Sequence, residues 1–226
     1  MTHEILRCAQ DDRTDGGQGP SSSLQQDGSP LVVLDAGCGE GYYLCRLQAE
    51  LAARDMQAIC LGLDISKEAV RLATARCREA FFVVADLKER LPIIENSVHI
   101  LLNIFAPRNP PAFARVIAPG GLLLVVIPSP THLLQLRTAL HLLQIEEEKQ
   151  RHVIAQFTAQ DMFRLEKTTP VSYELHLQGE AVRQLVTMTP NYWHLTEQMS
   201  QAIAQLEEIR TEVACLCLAF RRQEQA

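Results

Sequence analysis

The residues of this chain best placed to do chemistry lie in the run L-V-V-L-D-A-G-C-G-E-G-Y-Y, from Leu31 to Tyr43. An apolar stretch ends in a carboxylate, Asp35, after which Gly37, Gly39 and Gly41 alternate with Cys38 and Glu40. Glycine reaches positive φ at little steric cost and lets a ligand approach the main chain, so this spacing predicts a tight turn between a strand and a helix. The helix that follows turns its unpaired N–H groups toward that turn. Such a turn can hold a nucleotide-like molecule at the carboxyl end of a parallel strand, where open α/β sheets bind their ligands. A second carboxylate is placed the same way: I-C-L-G-L-D-I-S sets Asp64 at the end of the next apolar run, where it can accept both hydroxyls of a ribose.

The elements that must position these groups read as alternating strands and helices. Leu31 to Asp35 is the first strand, and Tyr42 to Arg54 a helix with Leu44, Leu47 and Leu51 on one face. Ala58 to Asp64 is the second strand; Ser66 then caps a helix over Lys67 to Arg78 whose Val70, Ala73 and Cys77 face inward. Phe81 to Ala85 reads as a short buried strand ending at Asp86, and Val98 to Phe105 as the fourth. A short helix over Ala112 to Ile117 stops at A-P-G-G, and Leu122 to Ile127 is the fifth strand. Beyond it come a helix from His132 to about Leu143, an exposed helix over Glu146 to Arg164 and a half-buried strand at Val171 to Leu177. Helices at Glu180 to Met188 and Leu195 to Leu206 precede a last strand at Thr211 to Phe220. The fold class is therefore α/β, with a doubly wound sheet of seven mostly parallel strands covered on both faces. The polar segment 1–29, rich in Gly and Ser, has no apolar face and is expected to be a disordered leader, leaving residues 30–222 as the domain.

Composition narrows the function class. The 226 residues are 47% hydrophobic and 21% charged, ordinary for a globular protein. There is neither an apolar run of membrane-spanning length nor a signal-peptide pattern, so the expected setting is cytoplasmic, without a membrane partner. Seven cysteines without framework spacing argue against a disulfide scaffold. Cys215 and Cys217 form a C-x-C that supplies only half a metal site, and no metal is expected. A net charge of −6 is unfavourable for unaided binding to RNA, whose affinity comes mainly from neutralised phosphates.

The spacing G-x-G-x-G departs from the dinucleotide fingerprint G-x-G-x-x-G, which disfavours NAD, while close helix–sheet packing remains the plain alternative to a ligand. D-x-G-x-G-x-G is the form that class I methyltransferases use for S-adenosylmethionine. Over roughly Leu31 to Phe220 the chain resembles the bacterial 23S ribosomal RNA guanine-N1 methyltransferases and their macrolide-resistance relatives. The matching pieces are L-D-A-G-C-G-E-G-Y-Y, G-L-D-I-S-K, I-F-A-P after the fourth strand, and A-P-G-G. Pro130 to Leu133, one residue short of P-x-x-H-L, and M-T-P at Met188 to Pro190 complete them. The resemblance implies an antiparallel last strand, S-adenosyl-L-methionine over Asp35 and Gly37 to Gly41, and Gly39 and Glu40 against its methionine part. It further implies Asp64 on the ribose, Asp86 toward the adenine amino group, His132 near the methionine end and Asn103 to Pro107 bordering the target base. Ribosomal RNA is then the expected partner.

Methyl transfer needs in-line approach with water excluded, so positioning supplies most of the catalysis. Guanine N1 is protonated at neutral pH and must also lose a proton; Asn103 and His132 are the catalytic candidates, with Glu40 and Asp86 as further groups at strand ends. Each has a plainer alternative: His132 as a helix cap, Asn103 as a strand end, and the N-Y-W after M-T-P as core packing. The resembled enzymes also carry a cysteine-rich zinc module and connector before the first strand, where this sequence has a polar leader with one cysteine, Cys8. Three readings are therefore open: an RNA methyltransferase, a small-molecule methyltransferase, and an inactive cofactor-binding remnant of a truncated RNA enzyme.

Overall fold

The computed structural model describes residues 29–187 and 196–224. The expected leader up to residue 28, with Cys8, and the run from Met188 to Trp193 lie outside them. The described residues divide into two compact units, one within Met1–Ile127, His152–Thr169 and Cys217–Ala226, the other within Pro128–Arg151 and Pro170–Leu216.

The strands are β1 (Leu31–Ala36), β2 (Ala58–Asp64), β3 (Phe81–Val84), β4 (Val98–Ile104), β5 (Ile117–Pro128), β6 (Phe163–Gln178) and β7 (Glu208–Arg222). They form one sheet in the order β3-β2-β1-β4-β5-β7-β6. β1 pairs in parallel with β2 and β4, β2 with β3, and β4 with β5. β7 is antiparallel to β6: Gln223 N–H donates to Met162 O at one end, and Gly179 N–H to Glu207 O at the other. The strand order reverses between β1 and β4, which opens a crevice beyond their carboxyl ends. Val33, Leu34, Leu101, Leu102, Leu123 and Val125 bury the middle of this sheet.

Helix α1 (Tyr42–Ala52) buries Leu44, Leu47 and Leu51, the face its periodicity predicts. Helix α2 (Lys67–Arg76) is capped by Ser66, whose hydroxyl accepts from Ala69 N–H at 3.2 Å. Helix α3 (Pro110–Val116) starts two residues before the predicted one, because Asn109 caps it and Pro110 occupies its first turn, where no N–H is needed. In the other unit, α4 (Leu134–Ala139) has only six residues. After it come α5 (Lys149–Thr158), α6 (Glu180–Thr187) and α7 (Glu197–Gln205).

Four sequence expectations change. β3 is no buried strand: Phe81 is 63% exposed, and Val83 and Val84 are exposed as well, because β3 is an edge of the sheet. The A-P-G-G run is not a stop before β5 but a bulge inside it. Val98 pairs with Ile117 and Ile100 with Leu122, so Ala118 to Gly121 lie opposite the single residue His99. The helix expected from His132 to Leu143 is short, since Leu133 (φ 53) and His141 (φ 52) take left-handed conformations at its ends. The exposed helix expected over Glu146 to Arg164 is α5, a 3-10 turn at Ala159–Asp161 and the start of β6. Its Val153 and Phe157 are buried, and the Phe157 ring centroid lies 5.1 Å from that of Phe220 and 6.2 Å from that of Phe113.

Candidate cofactor and acceptor site

The glycine turn is held by its own main chain. Gly37 and Cys38 N–H both donate to Leu63 O, at 2.8 and 2.9 Å, and Gly41 N–H to Cys38 O at 2.9 Å. Gly37 has φ 88, and a Cβ there would meet the Cβ of Ala106 at 2.3 Å, so both the conformation and the space demand glycine. Gly39 has φ 52 but a Cβ on it would meet nothing within 4 Å. The turn is thus packed solid on one side and open on the other, as a cradle must be.

Asp64 closes the turn from the next strand. Its Oδ2 accepts from Gly39 N–H at 2.8 Å and its Oδ1 from Ser66 N–H at 2.9 Å, so one carboxylate fixes both the glycine turn and the cap of α2. Two carboxylate oxygens offer about four acceptor positions, which leaves room for ribose hydroxyls. Gly62, two residues earlier, went unremarked in the sequence. A Cβ there would lie 2.5 Å from the Phe82 ring and 2.9 Å from Cys38 Sγ. A lone glycine inside a strand pattern is the signal that could have found it.

Asp35 is 1% exposed, and neither carboxylate oxygen has a hydrogen-bond partner among the described residues. Burial, and then the Asp64 carboxylate, push its pKa up to about 7. An orphaned buried carboxyl beside an open glycine cradle fits a ligand that brings a positive charge or N–H donors. Glu40 instead lies at the surface, 3.2 Å from the Arg76 guanidinium. The Asp86 carboxylate accepts from Lys88 N–H at 2.9 Å in the loop after β3.

Asn103 is 1% exposed at the end of β4. Its Nδ2 donates to Ala36 O at 3.0 Å and Pro107 O at 2.9 Å, so it ties β1 to the A-P-R segment, while its Oδ1 is unpartnered among the described residues. Its visible work is positioning. Cys38 is no nucleophile: burial, then the carboxylates of Asp35 and Asp64, push its thiol far above neutrality.

Asp35, Gly37, Gly39, Glu40, Gly41, Asp64, Asp86 and Asn103 therefore gather at the carboxyl ends of β1 to β4 in one unit. His132 belongs to the other. Its Nδ1 accepts from Ala214 N–H at 3.3 Å and faces Cys215 Sγ at 3.5 Å, which places its proton on Nε2. Burial lowers its pKa to about 4, with the Arg137 and Lys149 cations adding to the shift. Among the described residues no group of three or more His, Cys, Asp or Glu could hold a metal ion. No helix there is long and apolar enough to cross a membrane.

Comparison with known proteins agrees with this geometry. Residues 33–121 match the family model described as a methyltransferase domain. The chain is 37% identical over 187 residues to the 23S rRNA (guanine(748)-N(1))-methyltransferase of Streptomyces fradiae, covering 80% of this chain and 63% of that protein. It is 36% identical over 194 residues to a protein of Micromonospora griseorubida described as a putative 23S rRNA (guanine-N(1)-)-methyltransferase, covering 85% of this chain and 64% of that one. The chain thus spans a little under two thirds of the length of these curated relatives. A shorter likeness, 36% over 114 residues and 46% of this chain, joins it to 42% of the trans-aconitate 2-methyltransferase of Methylobacterium radiotolerans. Among solved structures, the YcgJ protein of Bacillus subtilis superposes over the full length of both chains with a TM-score of 0.58 at 14% identity, a likeness of fold. The glycine cradle, the carboxylates at adjacent strand ends and the seven-stranded order agree with these matches: the chain has a Rossmann-like methyltransferase fold, its residues 33–121 match a methyltransferase domain, which implies S-adenosylmethionine as cofactor, and it is similar to the 23S rRNA (guanine-N1)-methyltransferases.

Proposed function

We propose that this chain transfers a methyl group from S-adenosylmethionine to N1 of a guanine in 23S ribosomal RNA. The observation that carries the reading is its 37% identity, over four fifths of its length, to an enzyme named for that reaction. When bound, the cofactor supplies a methyl group made electrophilic by a sulfonium. The residues present fit it: Asp35 offers a buried charge to its ammonium, the open face of Gly39 takes its methionine part, and Asp64 takes the ribose. Asp86 is the group assigned to the adenine edge, and Glu40 and Gly41 complete the wall of the turn. Asn103 fixes Pro107 against the end of β1 and so sets the acceptor side relative to the glycine turn. His132, neutral with Nδ1 already accepting, is assigned to support of its own unit rather than to proton removal.

The test is a tritiated-methyl assay on unmodified 23S RNA, with reverse transcription to locate the product. A methyl on guanine N1 blocks the pairing edge and gives a stop at one nucleotide. Cofactor binding by calorimetry without incorporation into RNA would overturn the proposal. It would favour a second reading, methylation of a small molecule, for which the −6 charge and the likeness to the aconitate enzyme speak.

A further inference from the structure

The segment Phe105 to Asn109 is clamped more firmly than a connecting loop requires. Asn103 holds Pro107 O, and Asn109 Nδ2 reaches Leu87 O at 2.9 Å and Lys88 O at 3.3 Å. Ala106 packs so closely on the glycine turn that its Cβ would collide with any side chain at Gly37. Phe105, 47% exposed, sits at φ 52, a conformation that bulky residues rarely take and that recurs at functional sites.

This rigid pedestal carries Arg108. Its Nε is buried without a hydrogen-bond partner, and no acid among the described residues forms an ion pair with it. Nearby Arg115, by contrast, donates to Leu91 O and Ile93 O and pairs with Glu95. A half-buried guanidinium left unmatched in a rigid frame is costly in the free protein and favourable once an anion arrives; its planar fork suits a phosphate.

We propose that Arg108 recognises a phosphate of the acceptor nucleotide and sets its place against the glycine turn. The inference rests on the RNA reading above and names a recognition residue that reading lacks. The acceptor approaches over Phe105 and Ala106, whose neighbour across the contact is Gly37, so a phosphate on Arg108 lies one short segment away from the cofactor cradle.

The experiment uses the full chain loaded with S-adenosylhomocysteine and labelled with ¹⁵N-arginine; Arg108→Gln identifies the Arg108 Nε–H resonance. Guanosine 5′-monophosphate is expected to move that resonance and guanosine to leave it in place. With 23S RNA as substrate, Arg108→Gln should raise KM at least tenfold, change kcat less than twofold, and lower the slope of log KM against log salt by about one. Arg108→Lys should restore the slope but not the full KM, since it keeps the charge and loses the fork. The melting temperature of Arg108→Gln should hold or rise, whereas an arginine that merely supported the fold would lower it. An unchanged KM, or equal shifts with guanosine and its monophosphate, overturns the inference. If the wild-type chain methylates no RNA, the RNA reading fails by itself. The resonance then still decides: a shift with the monophosphate alone leaves Arg108 a phosphate subsite for a small acceptor, and no shift removes that too.

Discussion

Asp35 governs the electrostatics of the site because it is the group whose ordinary charge is least supported. Its pKa rises from 3.8 to about 7 through burial and then the Asp64 charge. Between those values the folded chain holds a proton that the unfolded chain has released, so Asp35 contributes stability that is complete below pH 3.8 and is lost as pH rises through 7. Asp35→Asn, neutral at every pH, should therefore gain on the wild type across that window and level off above it, by a few kcal/mol. Melting curves of the cofactor-free protein from pH 4 to pH 9 check this; a constant difference would show that Asp35 ionises normally. The glycines make a paired prediction. Gly37→Ala should destabilise the fold, since its Cβ would meet Ala106 at 2.3 Å. Gly39→Ala meets open space and carries only the left-handed penalty of about 1–2 kcal/mol. Its Cβ fills the cradle, so it should melt within a few degrees of wild type and bind S-adenosylhomocysteine far more weakly by calorimetry. Asp64→Asn should weaken the same binding by about 1.5–3 kcal/mol, because an amide can accept from Gly39 or from Ser66 but not from both.

At the scale of elements, α4 depends on Arg137, a buried cation whose Nε donates to His132 O at 2.8 Å, with Nη1 on Gln144 Oε1 at 2.9 Å and Nη2 on Pro130 O. One guanidinium thus ties two main-chain carbonyls before a six-residue helix, too short to hold itself, to the Gln144 side chain after it. Arg137→Leu keeps the bulk and strips these bonds. Hydrogen exchange should then quicken over residues 130–144 while β1 and β4 remain protected; uniform loss of protection would show that α4 supports the whole chain. This dependence also explains what the sequence could and could not disclose. The turn, α1 and α2 were legible because glycine spacing, the Leu44, Leu47 and Leu51 stripe and the Ser66 cap are local signals. The true length of α4 was not, because it is cut by Leu133 N–H bonding Glu212 O at 2.7 Å, an interaction with a strand far along the chain. Nor does an apolar run such as F-F-V-V reveal whether its strand is central or at an edge. The site divides similarly: Asp35 and Asp64 are announced by position at strand ends, whereas the clamps of Asn103 and Asn109 on remote carbonyls appear only in three dimensions.

At the scale of the whole molecule, the balance between a net charge of −6 and a polyanionic acceptor decides how the chain meets RNA. Phosphate contacts release counterions, and a footprint of about three phosphates loses roughly 40-fold in affinity between 50 and 200 mM salt. With 21 lysines and arginines outnumbered by 27 acidic residues, this chain should bind 23S RNA fragments weakly and lose that binding over the same salt range. Its curated relatives are longer, the chain matching 63% and 64% of their lengths. Fusing to this chain the part of the Streptomyces fradiae relative that it does not match should therefore lower KM for RNA, leave S-adenosylhomocysteine affinity unchanged and not flatten the salt slope, since new phosphate contacts only add to it. Filter binding at 50 and 200 mM salt with calorimetry on both proteins measures each quantity. Tight, salt-insensitive RNA binding by the chain alone would mean that recognition rests on base contacts rather than phosphates, and Arg108 would then lose its assigned partner.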